Sequence, residues 1–261
     1  MKQRTISAFI LLLIMVLSIV INSKLFGLLM LIFSVIGFNE FFDIKYKADN
    51  KKMNLIKIIG IVCLLLIAMN GTFYKMDLNV IVLIPLLVLC FPIVCYNDSK
   101  LYNIMDALYC VGIVYFLGFS FGNIIYMADI DLIKCIFIFL IAFITDTYAY
   151  IGGMLIGRHK LTSISPKKTI EGSIVGTIMG TLIGSVYYYN LVSGVTIFET
   201  VILCLVLTLL SEFGDLFFSS IKRYFDKKDY SNLIPGHGGV LDRFDSVIYV
   251  SLGLSIILSI I

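Results

Sequence analysis

Charge is scarce in this chain. Of its 261 residues 14% are Asp, Glu, Lys or Arg, against about a quarter in soluble domains, while 60% are hydrophobic and the mean hydropathy is +1.02. That shortage excludes an ordinary soluble domain and predicts an all-α, polytopic membrane protein. Histidine is nearly absent too. His159 and His237 are the two, and the six cysteines all lie in apolar stretches at spacings that no zinc site would use. The cysteines therefore read as small buried hydrophobes. No nucleic-acid motif is visible. The net charge of +3 is modest and its basic residues are dispersed over several loops, which favours anionic lipid or nucleotide over nucleic acid as a partner. Also missing are a repeat of 20 to 50 residues, a long linker, and a small-residue cleavage motif after the apolar run Ile6–Ile21, so that run is expected to stay as the first span.

What is present is a series of apolar runs, at about 6–21, 25–38, 55–70, 78–96, 104–120, 132–157, 171–189, 197–220 and 246–261, which predicts about nine transmembrane helices. Several fall short of the roughly 20 residues that a 30 Å hydrocarbon core requires. The first pair, joined only by Asn22–Lys24, fits a shallow hairpin. With the N-terminus placed in the cytoplasm, loops 39–54, 97–103, 158–170 and 221–245 share its side. Together with Lys2, Arg4 and Lys57 they gather 17 of the 20 Lys and Arg residues, leaving Lys24, Lys75 and Lys134 opposite. The bias of positive charge toward the cytoplasm predicts this orientation. The chain then divides into N-terminal transmembrane helices, 1–131, and a C-terminal transmembrane region, 132–261, whose polar loops 158–170 and 221–245 are cytoplasmic.

Ionisable residues inside or beside the later spans carry the chemistry. Asp146, within FITDTYAYIGG, lies deep in an apolar run, where an acid costs about 2.5–3.5 kcal/mol on insertion scales and needs a partner, a cavity or a metal. Glu212 and Asp215 are three apart and share a helix face, and Asp242 and Asp245 repeat that spacing at the mouth of the last span. Hard oxygen donors of this kind suit magnesium, which takes one or two carboxylates with phosphate oxygens and waters. The plainer account, that Asp242 and Asp245 cap the last helix and pair with Arg243 or Lys222, explains one of them and not the whole cluster. Lys167 and Lys168, just before a helix that steps through Gly172, Gly176, Gly180 and Gly184, can hold phosphate near its N-terminus, or simply touch anionic lipid. The glycine steps themselves point to close helix packing. In the loop Pro235–Gly239 the glycines let backbone NH groups approach an anion, and His237 can donate to a phosphate, act as acid or base, or hold the loop.

From Ser219 to Asp245 the ordered residues Ser219, Lys222, Arg223, Lys228, Asp229, Ser231, Pro235, His237, Gly238, Gly239, Asp242, Arg243 and Asp245 resemble the signature of the phosphatidate cytidylyltransferase, or CDP-diacylglycerol synthase, family. The likeness extends upstream to Asp146–Gly153 and to SPKKTIEG at Ser165–Gly172; residues 1–131 share only a set of apolar spans. This resemblance implies an enzyme of phospholipid biosynthesis in a bacterial cell membrane. The phosphate of phosphatidic acid would attack the α-phosphorus of CTP, giving CDP-diacylglycerol and pyrophosphate. It implies magnesium, with a second cation left open, and a homodimer. With Asp215 added from its place beside Glu212 on one helix face, the expected catalytic residues are Asp215, Lys222, Arg223, His237, Asp242 and Asp245. Lys167, Lys168, Lys228, Gly238, Gly239 and Arg243 would bind phosphate, and Asp146, Asp215, Asp242 and Asp245 would bind metal. Rival readings are a CTP-dependent lipid kinase of the polyprenol type, a cytidylyltransferase for ether lipids, and a transporter that uses the acids within spans.

Overall fold

The computed structural model describes residues 2–46, 51–95, 102–192, 194–236 and 238–260, and among them it contains nine helices and no named strand. The helices are α1 (Lys2–Ile21), α2 (Ser23–Lys45), α3 (Lys51–Ala68), α4 (Leu78–Cys95), α5 (Ile104–Ile130), α6 (Leu132–Ile156), α7 (Ile170–Leu191), α8 (Ile197–Tyr224) and α9 (Leu241–Ile260). Seven of them, α2 and α4–α9, are long and apolar enough to cross a membrane, whereas α1 and α3 contain the shorter apolar stretches Phe9–Ile21 and Met53–Ala68. The chain is thus an all-α polytopic membrane protein. Two compact units make it up: unit 1 is Met1–Asp129 with Asp229–Val240, and unit 2 is Ile130–Lys228 with Leu241–Ile261. The units divide near residue 130, and Asp229–Val240, within the loop 221–245, groups with unit 1.

In unit 1 the single residue Asn22 separates α1 from α2 and caps the latter, its side chain accepting the Lys24 NH at 2.8 Å. Buried aromatics of α2, among them Phe26, Phe38, Phe41 and Phe42, form much of the core. Helix α5 lies close to α3 because it presents glycine there: a methyl at Gly118 would stand 2.9 Å from Ile67, and one at Gly122 would stand 3.2 Å from the Ala68 backbone. Helix α4 carries Pro85 and Pro92 in its interior. Proline removes an NH from the helix ladder, and in lipid the freed carbonyls need other donors. The carbonyls four residues before the prolines are those of Ile81 and Val88; the next ones along, Val82 and Leu89, accept the hydroxyls of Tyr115 and Tyr102.

Unit 2 is organised by the glycine steps of α7. Gly172, Gly176, Gly180 and Gly184 are all buried, and methyl groups there would meet, in order, the Ala149 carbonyl at 2.5 Å, the Ala149 methyl at 2.8 Å, the Thr145 hydroxyl at 2.5 Å and the Ile141 side chain. The four-residue step on α7 thus faces a four-residue step on α6, running Ile141, Thr145, Ala149 and Gly153. On the other flank Gly180 and Gly184 approach Thr208 and Cys204 of α8. This is the close packing expected of small residues, and it occupies the glycine face within unit 2. Side-chain oxygens start the helices: Asp131 caps α6, Thr169 caps α7, and Thr196 with Glu199 forms a capping box on α8. At 28 residues α8 is roughly 42 Å long, more than a hydrocarbon core needs, so its Lys222–Tyr224 end extends past the apolar segment.

Candidate active site

Four elements of unit 2 bring their polar residues to one end. The connection between α6 and α7 is a tight hairpin in which the Leu161 NH donates to the Lys168 carbonyl at 2.9 Å and the Ile170 NH to the His159 carbonyl at 3.0 Å. Glu171 closes it by accepting the NH groups of Arg158 at 3.0 Å and His159 at 3.2 Å, with the His159 ring 2.5 Å away. His159 is thereby tied into the hairpin through its NH and its ring. The hairpin delivers Lys168 to α8, where its ammonium lies 2.5 Å from the Asp215 carboxylate. Arg223, one helical end further along α8, reaches back to the Ile164 carbonyl at 3.5 Å and donates to the Lys227 carbonyl at 2.7 Å.

The first turn of α9 completes the group. Asp242 forms a buried ion pair with Lys222 at 2.6 Å, the side chains being 3% and 10% exposed. Asp245 accepts the Ser246 NH at 2.9 Å, and the Ser246 hydroxyl donates to Asp146 of α6 at 3.1 Å. Gly214 allows α8 and α9 to meet at this level, since a methyl there would lie 2.8 Å from the Asp245 carbonyl. Asp146, Asp215 and Asp245 interact electrostatically with one another, as do Lys222 with Asp245 and Lys168 with Asp146. Glu212, one turn before Asp215, accepts hydroxyls from Ser173 and from Thr177, the latter at 3.2 Å, and so ties α8 to α7.

Unit 2 therefore joins Asp146, Lys168, Asp215, Lys222, Asp242 and Asp245 in one cluster. Lys167, Arg223, Lys228 and Arg243 are exposed. Gly238 and Gly239 lie in unit 1, in a turn closed by the Ile234 NH donating to the Gly238 carbonyl at 2.9 Å, with Gly236 and Gly238 at φ of 77° and 83°. His237 lies outside the described residues. Among the described residues no group of three or more His, Cys, Asp or Glu side chains is disposed to hold a metal ion. The donor chemistry nevertheless suits a hard cation. Asp146, Glu212, Asp215, Asp242 and Asp245 outnumber the lysines among them, Lys168 and Lys222, so the cluster has a surplus of carboxylate in a setting of low dielectric.

Sequence reasoning missed Glu40. This acid of α2 is 5% exposed and accepts the Ser231 hydroxyl at 2.6 Å and the Val240 NH at 2.9 Å. Its signal was available, because an ionisable residue embedded in the aromatic stretch Phe38–Phe42 poses the same question that Asp146 does.

Residues 2–261 match the model of the cytidylyltransferase family. The chain is similar to proteins named phosphatidate cytidylyltransferase from Staphylococcus aureus strain COL and Staphylococcus epidermidis, at 32% identity, and from Staphylococcus saprophyticus, at 30%. Each of these matches covers 99% of this chain and 99% of the relative. From α1 to the last turn of α9, the chain belongs to the cytidylyltransferase family.

Proposed function

We propose that this protein transfers the cytidylyl group of CTP to phosphatidic acid, yielding CDP-diacylglycerol and pyrophosphate at a membrane surface. The observation that carries the reading is the cluster at one end of unit 2, where Lys168 and Lys222 are ion-paired to Asp215 and Asp242, with Asp146 and Asp245 interacting beside them. Full-length similarity to proteins named for that activity supports the choice of substrates.

In the reaction a phosphate oxygen of the lipid forms a bond to the α-phosphorus of CTP while the bond from that phosphorus to the oxygen bridging toward the β-phosphorus breaks. Both electrons of the broken bond leave with pyrophosphate. The attacking phosphate is largely ionised at neutral pH, its second pKa being near 6, so the protein needs no strong base. Positioning and neutralisation of charge remain as its tasks. Lys222 and Lys168 hold Asp242 and Asp215 as counter-ions and can exchange a carboxylate for a phosphate oxygen without leaving the cluster. Arg223, Lys228, Arg243 and Lys167 would supply further positive charge, and the family resemblance assigns phosphate binding to Gly238 and Gly239 as well. Asp215, Asp242 and Asp245, with Asp146 alongside, would hold magnesium, which when bound neutralises non-bridging phosphate oxygens. A set with fewer than three preformed protein ligands accords with a cation that is completed by substrate phosphates and water.

The distribution of Lys and Arg supports placing the N-terminus and these loops in the cytoplasm, where CTP is made. A homodimer rests on the family resemblance alone, since the glycine face of α7 is already occupied within unit 2. The test uses purified protein in mixed micelles with phosphatidic acid, Mg2+ and CTP labelled at either the α- or the γ-phosphate. Entry of α-label into lipid, dependent on phosphatidic acid and metal and lost in Asp242→Ala, is the expected result. Entry of γ-label into a lipid alcohol would instead identify a kinase.

A further inference from the structure

The segment Asp229–Val240 belongs to unit 1 although its neighbours in sequence on both sides belong to unit 2. The physical reason is Glu40. One of its oxygens, Oε1, receives both the Ser231 hydroxyl at 2.6 Å and the Val240 NH at 2.9 Å, so the two ends of the glycine-rich loop converge on a single acceptor. Between those ends, the Leu233 NH donates to the Ser231 hydroxyl at 3.3 Å and the Ile234 NH to the Gly238 carbonyl at 2.9 Å. Next to Glu40, Phe41 meets Tyr230 edge-on at 5.2 Å, and at the tip the Ser7 hydroxyl of α1 donates to the Pro235 carbonyl at 3.1 Å. Gly239 is required where it stands, because a methyl there would collide with the Glu40 carboxylate.

A carboxylate buried at 5% exposure among aromatic residues is costly unless its hydrogen bonds matter to the protein. For α2 itself they are unnecessary, as the helix needs no side-chain acceptor in its interior. The beneficiary is the loop, which ends at Val240 and is followed at once by Leu241 and Asp242. We propose that Glu40 is a positioning residue: by fixing both ends of 231–240 it sets the course of that loop for binding of a nucleoside triphosphate. This rests on the reading of the chain as a CTP-dependent enzyme. In this role Glu40 acts through the loop that it holds at Ser231 and Val240.

The experiment compares the full-length wild type with Glu40→Ala, Glu40→Gln and Ser231→Ala. Separate KM values for CTP and phosphatidic acid are measured together with backbone amide exchange across 231–240. Glu40→Ala is expected to raise the KM for CTP about tenfold or more, to leave that for phosphatidic acid within about twofold, and to speed exchange at Val240 about tenfold. Glu40→Gln, which keeps an oxygen that can accept from both donors, should recover most of the loss, and Ser231→Ala should fall between. Equal shifts in both KM values, or an unchanged KM for CTP, would overturn the proposal; so would unchanged exchange at Val240. Should Glu40→Ala fail to fold, Ser231→Ala decides by the same criteria, because it removes one donor and leaves the carboxylate in place. A wild type that transfers no cytidylyl label would refute the activity, and exchange at Val240 would still decide whether Glu40 holds the loop.

Discussion

Units 1 and 2 both contain buried acids, yet the two sets are treated differently. In unit 1, Asp106 is met by Lys45 at 2.8 Å, by the Tyr46 hydroxyl at 2.7 Å and by the Asn103 NH at 2.9 Å. Lys45 in turn lies over the Tyr109 ring at 4.5 Å. Burial first, and then the hydrogen bond to Asp106, hold the Tyr46 phenol far above its ordinary pKa, so it remains a donor at any physiological pH. That acid is a fastener with a full set of donors. In unit 2, Asp146, Asp215 and Asp245 face each other, and two lysines are shared among a larger number of carboxylates. The informative property of a buried acid is therefore whether its neighbours balance it. Imbalance marks a place prepared for something still to arrive.

The sharpest way to break this contrast is to neutralise one acid on each side. Asp245→Asn is expected to lower turnover by about 1,000-fold, near 4 kcal/mol in the barrier, with the helices intact by circular dichroism. Activity within tenfold of wild type would remove Asp245 from the site. Next in size is the Lys222–Asp242 pair. Lys222→Ala leaves a buried carboxylate uncompensated and should cost roughly 3 kcal/mol of stability, and adding Asp242→Asn should return part of it. Thermal midpoints of the two single variants and the double variant give the coupling directly. Packing offers a third comparison. Gly180→Val, whose added carbon would meet Thr145 and Thr208, should destabilise by about 2 kcal/mol, whereas Gly112→Ala in α5, with nothing within 4 Å of the new methyl, should be neutral or gain up to about 1 kcal/mol. The smallest effect belongs to the fastener. Asp106→Asn should cost about 1.5 kcal/mol of stability with kcat unchanged, and a collapse of kcat in folded protein would erase the distinction between the units.

Much of this was legible in the chain. Each apolar run became one helix, because a hydrocarbon solvent leaves the backbone few alternatives. Helix ends were less legible where polar residues continue a helix past its apolar part. Thus α9 begins at Leu241 and not near 246, since Asp242 and Asp245 belong to its first turn, and α5 continues past Ser120 to Ile130. The acids and lysines of unit 2 were visible from spacing and resemblance, and the structure supplies their partners: Lys168 for Asp215, Lys222 for Asp242 and Ser246 for Asp146. The bond from Glu40 to Val240 was not legible. It joins residues 200 apart in the chain, and no local pattern encodes such a distance. The same bond explains why the glycine-rich loop sides with the first unit, against the simple division at 131.

The glycine steps of α7 carry one further consequence. Ile141, Thr145, Ala149 and Gly153 on α6 mesh with Gly172, Gly176, Gly180 and Gly184 like a rack against its mate, and a slip of one residue would drive side chains into backbone. Asp146 follows Thr145 in the chain, and Lys168 precedes the first tooth on the other helix by four positions. The height of the acid relative to the lysine is therefore fixed along the whole length of two helices, several turns away from the reacting phosphates. Filling a single notch near the far end would therefore throw that offset out of register.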